Sequence, residues 1–164
     1  MAIRQIQVQR FSVTSSKSFA DVIAGVDAAI GHPDMKEFQG KVAAAKTYAE
    51  LEEVIHKVLG PSDLMEFTRF DLGAILRKEA GKAGRNSVRL VAGNALIMKR
   101  MVEHVPDAGS YAPVTILIDE RADGVHLSYD RMAGFLGPYG NEEALKVARD
   151  LDSKVESLLT AAAK

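Results

Sequence analysis

Two short segments on either side of Asp123-Gly124 constrain the fold of this 164-residue chain most strongly. In residues 114–119 and 125–129, apolar side chains recur at every second position, which is typical of strands that bury one face. An Asp-Gly pair supplies the positive φ that a tight hairpin turn needs. The pattern therefore predicts an antiparallel hairpin and a fold that contains an antiparallel sheet.

Together with this hairpin, the periodicities predict a strand, a helix, two inserted helices, four strands with short embedded helices, and a long last helix. The predicted strands are residues 3–13, 64–70 and 88–92 besides the hairpin. The predicted helices begin after Ser16 or Ser18, and after Asp34, Thr47, residue 71, Asn94 and Asn141. We expect one α+β domain over residues 1–164, with an antiparallel sheet and its helices packed on one face. Residues 31–60 form a helical insertion and residues 140–160 a C-terminal helix.

Helix ends are predicted from the residues that interrupt each pattern. The third helix is expected to end at Gly60-Pro61, and the helix after Asn94 to continue through Val105. The alanine-rich tail from Thr160 is expected to fray.

Composition excludes several functional classes. The chain has no cysteine, which excludes disulfides, thiolate catalysis and Cys-ligated zinc or iron–sulfur sites. Lys and Arg number 21 against 22 Asp and Glu, so the basic excess of a general nucleic-acid binder is absent. No apolar run is long enough to cross a membrane, and no secretory leader is recognisable. We therefore expect a soluble, cytoplasmic protein with neither a nucleic-acid nor a membrane partner.

Several motifs are shared with a known family. They are a strand that ends in Gly93-Asn94, a Met/Leu-rich helix, Pro113 at a strand start, Gly124, the Ser128-Tyr129 strand end, and the entry into the first helix at residues 16–19. With these features the chain resembles the domain of unknown function 302 family over most of residues 3–34 and 62–135. The resemblance implies a TATA-box-binding-protein-like β-α-β4-α arrangement and a homodimer, and it carries no reaction over to this chain.

A candidate ligand site lies where the strand ending at Gly93 passes into the next helix. Free backbone amides at a helix N-terminus can bind an anion or a carboxylate. The alternative is structural, with Gly93 in a tight turn and Asn94 as the helix cap, and the residue pattern favours it. No phosphate-binding loop is present, because neither the glycine spacing nor a following Lys-Ser/Thr occurs.

Of the histidines, His104 has the strongest functional case. It ends the Met-rich helix, and Met98, Met101 and Tyr111 are close enough in sequence to line an apolar pocket with it. This combination is compatible with haem or another flat ligand, although a histidine at the end of a core helix is the favoured alternative. No histidine spacing typical of a metal site occurs, so no metal is expected.

Two further groups of residues have open interpretations. Glu66 and Arg69 belong to a charged stretch that could serve acid–base chemistry, but they should lie on opposite faces of a regular strand, and a solvated face is favoured. The apolar segment with Met132, Phe135, Leu136 and Tyr139 either folds over the sheet or meets a second chain, and we favour a dimer contact there.

Together these observations predict a homodimeric binder of a small apolar or flat ligand. The candidate ligand-binding residues are Gly93, Asn94, Met98, Met101, His104, Tyr111 and Tyr129. One alternative is a dimeric interaction or scaffold module without a ligand. A second is an enzyme that uses Glu66, Arg69 and His104 on a small carbonyl substrate, but no complete catalytic constellation is present.

Overall fold

The computed structural model describes residue 3, residues 5–80 and residues 84–164. Within them the strands are β1 (Arg10–Ser15), β2 (Met65–Asp71), β3 (Ser87–Gly93), β4 (Val114–Arg121) and β5 (Gly124–Asp130). The helices are α1 (Phe19–Ala29), α2 (Met35–Ala44), α3 (Tyr48–His56), α4 (Leu72–Ala80), α5 (Ala95–Val102), α6 (Met132–Leu136) and α7 (Glu142–Ala163). Short 3₁₀ turns cover Pro106–Ser110 and Gly137–Tyr139.

The strands form one antiparallel sheet in the order β1-β5-β4-β3-β2. Its centre is the predicted hairpin of β4 and β5, and Gly124 adopts the positive φ, 136°, that the turn requires. The predicted α+β class with an antiparallel sheet is thereby confirmed. The likeness of its element order to the TATA-box-binding-protein-like arrangement stays a prediction.

The two faces of the sheet have different environments. Alternate strand residues such as Leu90, Ile116 and Leu127 are buried beneath α1, α5, α6 and α7, where the main hydrophobic core lies. The long helix α7 packs against α1, α5 and α6. Residues with the opposite alternation, among them Arg89 and Thr115, point to the other side and are exposed.

Helices α2 and α3 build a second, smaller core around Phe38, Ile55 and Met65. The predicted caps are present, because Asp34 accepts from the amide of Glu37 and Thr47 from that of Glu50. This pair of helices occupies the segment 31–60. Its identification as an insertion stays a prediction.

The first strand is shorter than predicted and lies further along the chain. Residue 4 is outside the described residues, and residues 5–9 form no strand. The reason is the partner strand: β5 ends at Asp130, opposite Arg10, and the chain then turns into α6. The carbonyl of Gln9 instead accepts from the amide of Arg131, 2.9 Å away.

Three helix ends also differ from the predictions. Helix α3 ends at His56 rather than at Gly60, whose amide bonds to the carbonyl of Leu64. Helix α5 ends at Val102, before the turn that begins at Pro106. The tail does not fray: α7 continues to Ala163, whose carbonyl accepts a 2.6 Å hydrogen bond from the hydroxyl of Ser15. No helix among the described residues is long and apolar enough to cross a membrane.

Candidate functional site

The exposed side of the sheet carries two rows of side chains that follow the strand register. In the first row, Arg89, Leu117, Ser128 and Ser12 are neighbours on four adjacent strands. In the second row, Val91 pairs with Thr115. These rows place residues from distant parts of the chain side by side at one end of the open face.

A cavity of about 350 Å³, here called the sheet-face cavity, lies over this end of the sheet. It is lined by Arg10, Arg89, Ser110, Tyr111, Val114, Thr115, Leu117, Ser128, Tyr129, Asp130 and Phe135. Its floor is the outer face of the strands, and its far wall comes from the turn before β4 and from α6. Its volume is within the range of about 300–1,000 Å³ that is usual for small-ligand sites.

The far wall of the sheet-face cavity is aromatic. The rings of Tyr111 and Phe135 are stacked with their centroids 4.7 Å apart and their planes 8° from parallel. The hydroxyl of Tyr111 lies 3.1 Å from that of Tyr139, and this hydrogen bond is the main cause that raises the pKa of Tyr139 to about 12. The stack is therefore held in place by both packing and a hydrogen bond, and it offers a flat surface.

Polar groups on the floor of the cavity differ in whether they already have partners. Arg10 donates to both carboxylate oxygens of Asp130, at 2.7 and 2.8 Å, which raises the pKa of Arg10. The Arg89 guanidinium lies 5.8 Å from the centroid of the Phe70 ring and has no carboxylate partner in the part of the chain that is described. Ser128 is only 7% exposed, yet its hydroxyl makes no hydrogen bond with any described residue.

A second cavity, here called the α5 cavity, is much smaller, at about 100 Å³, and almost entirely apolar. Gly93, Asn94, Met98 and Met101 line it together with Phe67, Ile97, Pro113 and Leu151. An engineered apolar cavity of about 150 Å³ is known to hold one benzene molecule. The α5 cavity is therefore too small for a flat aromatic ligand as it stands.

The polar side-chain atoms of Asn94 are all hydrogen-bonded within the protein. Its side-chain oxygen accepts from the amide of Leu96 at 2.8 Å, and its side-chain nitrogen donates to the carbonyl of Asp63 at 3.1 Å. The structural alternative, in which Asn94 caps the helix, is confirmed. No polar group of Asn94 is left to orient a ligand in the α5 cavity.

The structure divides the seven predicted ligand residues among three places. Gly93, Asn94, Met98 and Met101 line the α5 cavity, whereas Tyr111 and Tyr129 line the sheet-face cavity. His104 lines neither of these cavities: it follows the end of α5, 39% of its side chain is exposed, and its ring lies 3.8 Å from the carboxylate of Glu103. The single pocket expected around His104 is therefore not formed.

A haem does not fit this arrangement. His104 lies apart from Met98 and Met101, which face a cavity far smaller than a porphyrin. The surroundings of the Met-rich helix therefore do not support a haem site.

Glu66 and Arg69 lie together, contrary to the prediction that they face opposite ways. The sheet register shifts between Glu66 and Thr68, and this bulge returns Arg69 to the side of Glu66. Arg69 donates to the carboxylate of Glu66 at 2.7 Å and also binds Asp27, whose hydrogen bond is the main cause that raises the pKa of Arg69. The carbonyl-enzyme alternative is not supported, because His104 is not part of this cluster.

His32 completes this ionic cluster. Its Nδ1 lies 3.2 Å from a carboxylate oxygen of Glu66, and its Nε2 lies 3.0 Å from the main-chain oxygen of Asp27. One ligand atom each of Asp27, His32 and Glu66 lie within 4.8 Å of one another, which is close enough for a metal ion. Arg69 hydrogen-bonds to both carboxylates, so the contacts fit an ionic cluster that joins α1 to β2.

The apolar segment chosen for a dimer contact is instead part of the chain's own core. Met132 and Leu136 are each 1% exposed and belong to the main core beneath the sheet. Phe135 is half-buried and stacks on Tyr111. This segment therefore packs on the chain's own core, as in the alternative interpretation, and the structure does not support a dimer contact there.

Sequence reasoning missed Arg89, Thr115 and Leu117 as site residues, and it used Ser128 only as part of a strand end shared with the family. The alternation of β3, β4 and β5 is readable in the sequence and places these residues on the polar side of their strands. What the sequence does not show is the register that makes them neighbours.

A third concavity is a broad groove of about 1090 Å³ between residues 5–9 and the helices α6 and α7. Gln5, Gln7, Gln9, Arg131 and Arg149 are among its lining residues. One of its walls is a segment without regular secondary structure, and it is a surface groove rather than an enclosed cavity. The sheet-face cavity, with rigid strands as its floor, is the better-formed candidate site.

Comparisons with known proteins agree with this fold. The family model described as "Domain of unknown function DUF302" matches residues 40–162. The crystal structure of an uncharacterized conserved DUF302 protein from Bacillus stearothermophilus superposes with a TM-score of 0.64, at 10% sequence identity, over 94% of this chain and 98% of that one. At this identity the likeness shows the fold alone. No curated protein matches the chain.

Proposed function

This chain belongs to the DUF302 family, and because that membership assigns no reaction, we propose its function from its cavities: it binds a small flat ligand in the sheet-face cavity. The observation that carries the proposal is the stacked Tyr111–Phe135 pair on the wall of a cavity of about 350 Å³. A flat apolar surface beside a few polar groups is the usual composition of a small-molecule site.

The rigidity of the surrounding elements supports this location. The floor consists of the central strands β4 and β5 and their neighbours, and the wall is held by the Tyr111–Tyr139 hydrogen bond. A preformed site loses less conformational entropy on binding than a flexible one. The α5 cavity lacks both the volume and a free polar group, so the proposal does not place the ligand there.

Native mass spectrometry of protein purified without added ligand is the first test. We expect an adduct of a few hundred daltons or, where the ligand is lost on purification, binding of the neutral flat probe benzamide. With ¹⁵N-labelled protein, benzamide should shift the amide resonances of Leu117, Ser128 and Phe135, and cyclohexanecarboxamide should do so much more weakly.

A pair of matched variants tests the location. Thr115→Trp fills the sheet-face cavity from an exposed position and should weaken benzamide binding at least tenfold. Thr68→Trp places the same side chain on the same face, outside the cavity lining, and should leave binding unchanged. Equal effects of the two variants, or no benzamide shifts in the wild type, would contradict the proposal.

We also propose that the protein is a homodimer, which the family resemblance implies. The side of the sheet opposite the main core supports this, because Phe70 there is 47% exposed. Light scattering after size exclusion should give twice the chain mass of 17.7 kDa. A monomeric mass at micromolar concentration would contradict both the homodimer and the alternative of a dimeric scaffold. A cytoplasmic location stays a prediction.

A further inference from the structure

We propose that the ligand of the sheet-face cavity carries a carboxylate, which Arg89 and Ser128 bind together. This inference rests on the proposed function, and it adds the chemical class: a monocyclic aromatic carboxylate or a close relative. It is carried by two groups on the cavity floor whose bonding capacity the protein leaves unused.

The first group is the hydroxyl of Ser128. Its residue is only 7% exposed, it lines the cavity, and the hydroxyl has no hydrogen-bond partner among residues 5–80 and 84–164. The hydroxyl is therefore available to donate a hydrogen bond to a ligand oxygen in the cavity.

The second group is the guanidinium of Arg89. Arg10, the other arginine of the cavity, is neutralised by Asp130 through two hydrogen bonds, whereas Arg89 has only the face of Phe70 beside it within the described chain. Guanidinium groups bind carboxylates through two parallel N–H···O bonds, which makes arginine well suited to planar anions. Arg89 therefore contributes a positive charge to the cavity, and no carboxylate of the described chain balances this charge.

The strand register brings these two groups to opposite sides of Leu117. Arg89 pairs with Leu117 and Leu117 pairs with Ser128, so two strand spacings separate them, about 10 Å between Cα atoms. The long arginine side chain and a bound carboxylate can together span this gap above the leucine. The rest of the ligand then faces the Tyr111–Phe135 stack, which is why we assign it a flat ring.

Calorimetric titration with three probes tests the inference: benzoate, its neutral analogue benzamide, and inorganic phosphate. Wild-type protein should bind benzoate at least tenfold more tightly than benzamide, and more tightly than phosphate. Arg89→Gln should weaken benzoate binding at least tenfold and weaken benzamide binding by a much smaller factor. Ser128→Ala should weaken benzoate binding by a smaller factor, of several-fold.

Two control variants separate local binding from general effects. Arg100→Gln removes an equal charge from an exposed position on α5, and Ser12→Ala removes a hydroxyl from the same row of the sheet outside the cavity. Both should bind benzoate as the wild type does. An equal loss in Arg100→Gln would show that net charge alone is responsible and would overturn the inference.

The failures of the two proposals are distinguishable. If benzamide binds and benzoate binds no better, the carboxylate assignment is wrong and the flat-ligand site stands. If phosphate binds as tightly as benzoate and depends equally on Arg89, the site takes a free anion, and the aromatic part of the assignment is wrong. If neither aromatic probe binds, both proposals fail.

Discussion

The hydroxyl of Tyr129 donates a 2.6 Å hydrogen bond to the carboxylate of Asp152 and so ties the end of β5 to the middle of α7. Both residues are 1% exposed. The same carboxylate accepts from the amides of Met132 and Ala133, at 2.7 and 3.1 Å, at the start of α6. One buried acidic side chain therefore holds together the strand, the short helix and the long helix next to the sheet-face cavity.

Replacing Asp152 by asparagine should destabilise the protein by about 2 kcal/mol, since one carboxylate oxygen becomes an amide group facing a main-chain N–H. Urea unfolding followed by circular dichroism measures the change. Asp150→Asn, an exposed position on the same helix, is the control and should change the unfolding free energy by at most about 0.5 kcal/mol. Similar values for the two variants would contradict the structural role given to Asp152.

Tyr129 should make stability fall at alkaline pH. Burial, and next the charge of Asp152, raises the pKa of Tyr129 well above the ordinary value of 10.0. An unfolded tyrosine loses its proton near pH 10 while the folded one keeps it, so the contribution is complete below pH 10 and is lost as the pH rises further, at up to about 1.4 kcal/mol per pH unit. The gap in unfolding free energy between wild type and Tyr129→Phe should therefore narrow from pH 9 to pH 11. A constant gap would refute this.

Gly31 and Gly40 should respond oppositely to alanine. A Cβ on Gly31 would lie 1.8 Å from the carbonyl oxygen of Val58, whereas one on Gly40 would meet nothing within 4 Å. Gly31→Ala should cost more than about 2 kcal/mol, because the backbone that bonds to Leu64 must shift. Gly40→Ala lies within α2 and should stabilise by up to about 1 kcal/mol. Thermal unfolding of the two variants tests this; a neutral Gly31→Ala would contradict the close approach.

Arg69→Met should destabilise by about 1 kcal/mol, because Asp27 and Glu66 lose the cation between them. The arginine side chain is 27% exposed, so solvent screening limits the effect. Arg121→Met breaks a pair with Asp119 that is more exposed at the arginine, and should destabilise the protein less than Arg69→Met does. The two are compared by urea unfolding at low salt, where an equal cost would show that the Arg69 cluster contributes no more than a surface pair.

Much of the fold could be predicted from local patterns. The hairpin around Gly124, the caps Ser18, Thr47 and Asn141, and the buried stripe of α7 all agree with the structure. Each depends on residues a few positions apart, through one turn of backbone or one side-chain hydrogen bond. The ends of the elements were predicted less well, because they depend on partners elsewhere in the chain. Strand β1 begins at Arg10 because β5 ends at Asp130 and has no residue left to pair with the residues before Arg10.

The candidate site could be predicted only in part. The helix after Gly93 supplied four residues that share a cavity, but the expected continuation to His104 and Tyr111 fails, since α5 ends at Val102 and the chain turns at Pro106. The pairing of Glu66 with Arg69 was missed because a bulge reverses the alternation of β2.

The sequence by itself determined which faces of the strands and helices are apolar, where the helices begin, and that an antiparallel sheet forms. Periodicity and capping involve residues only a few positions apart, so they can be read directly from the sequence. Only the tertiary structure decided that Arg89, Leu117 and Ser128 are neighbours and that Phe135 closes on Tyr111. These contacts join residues far apart in the chain, and lateral register and packing among all the elements select them together.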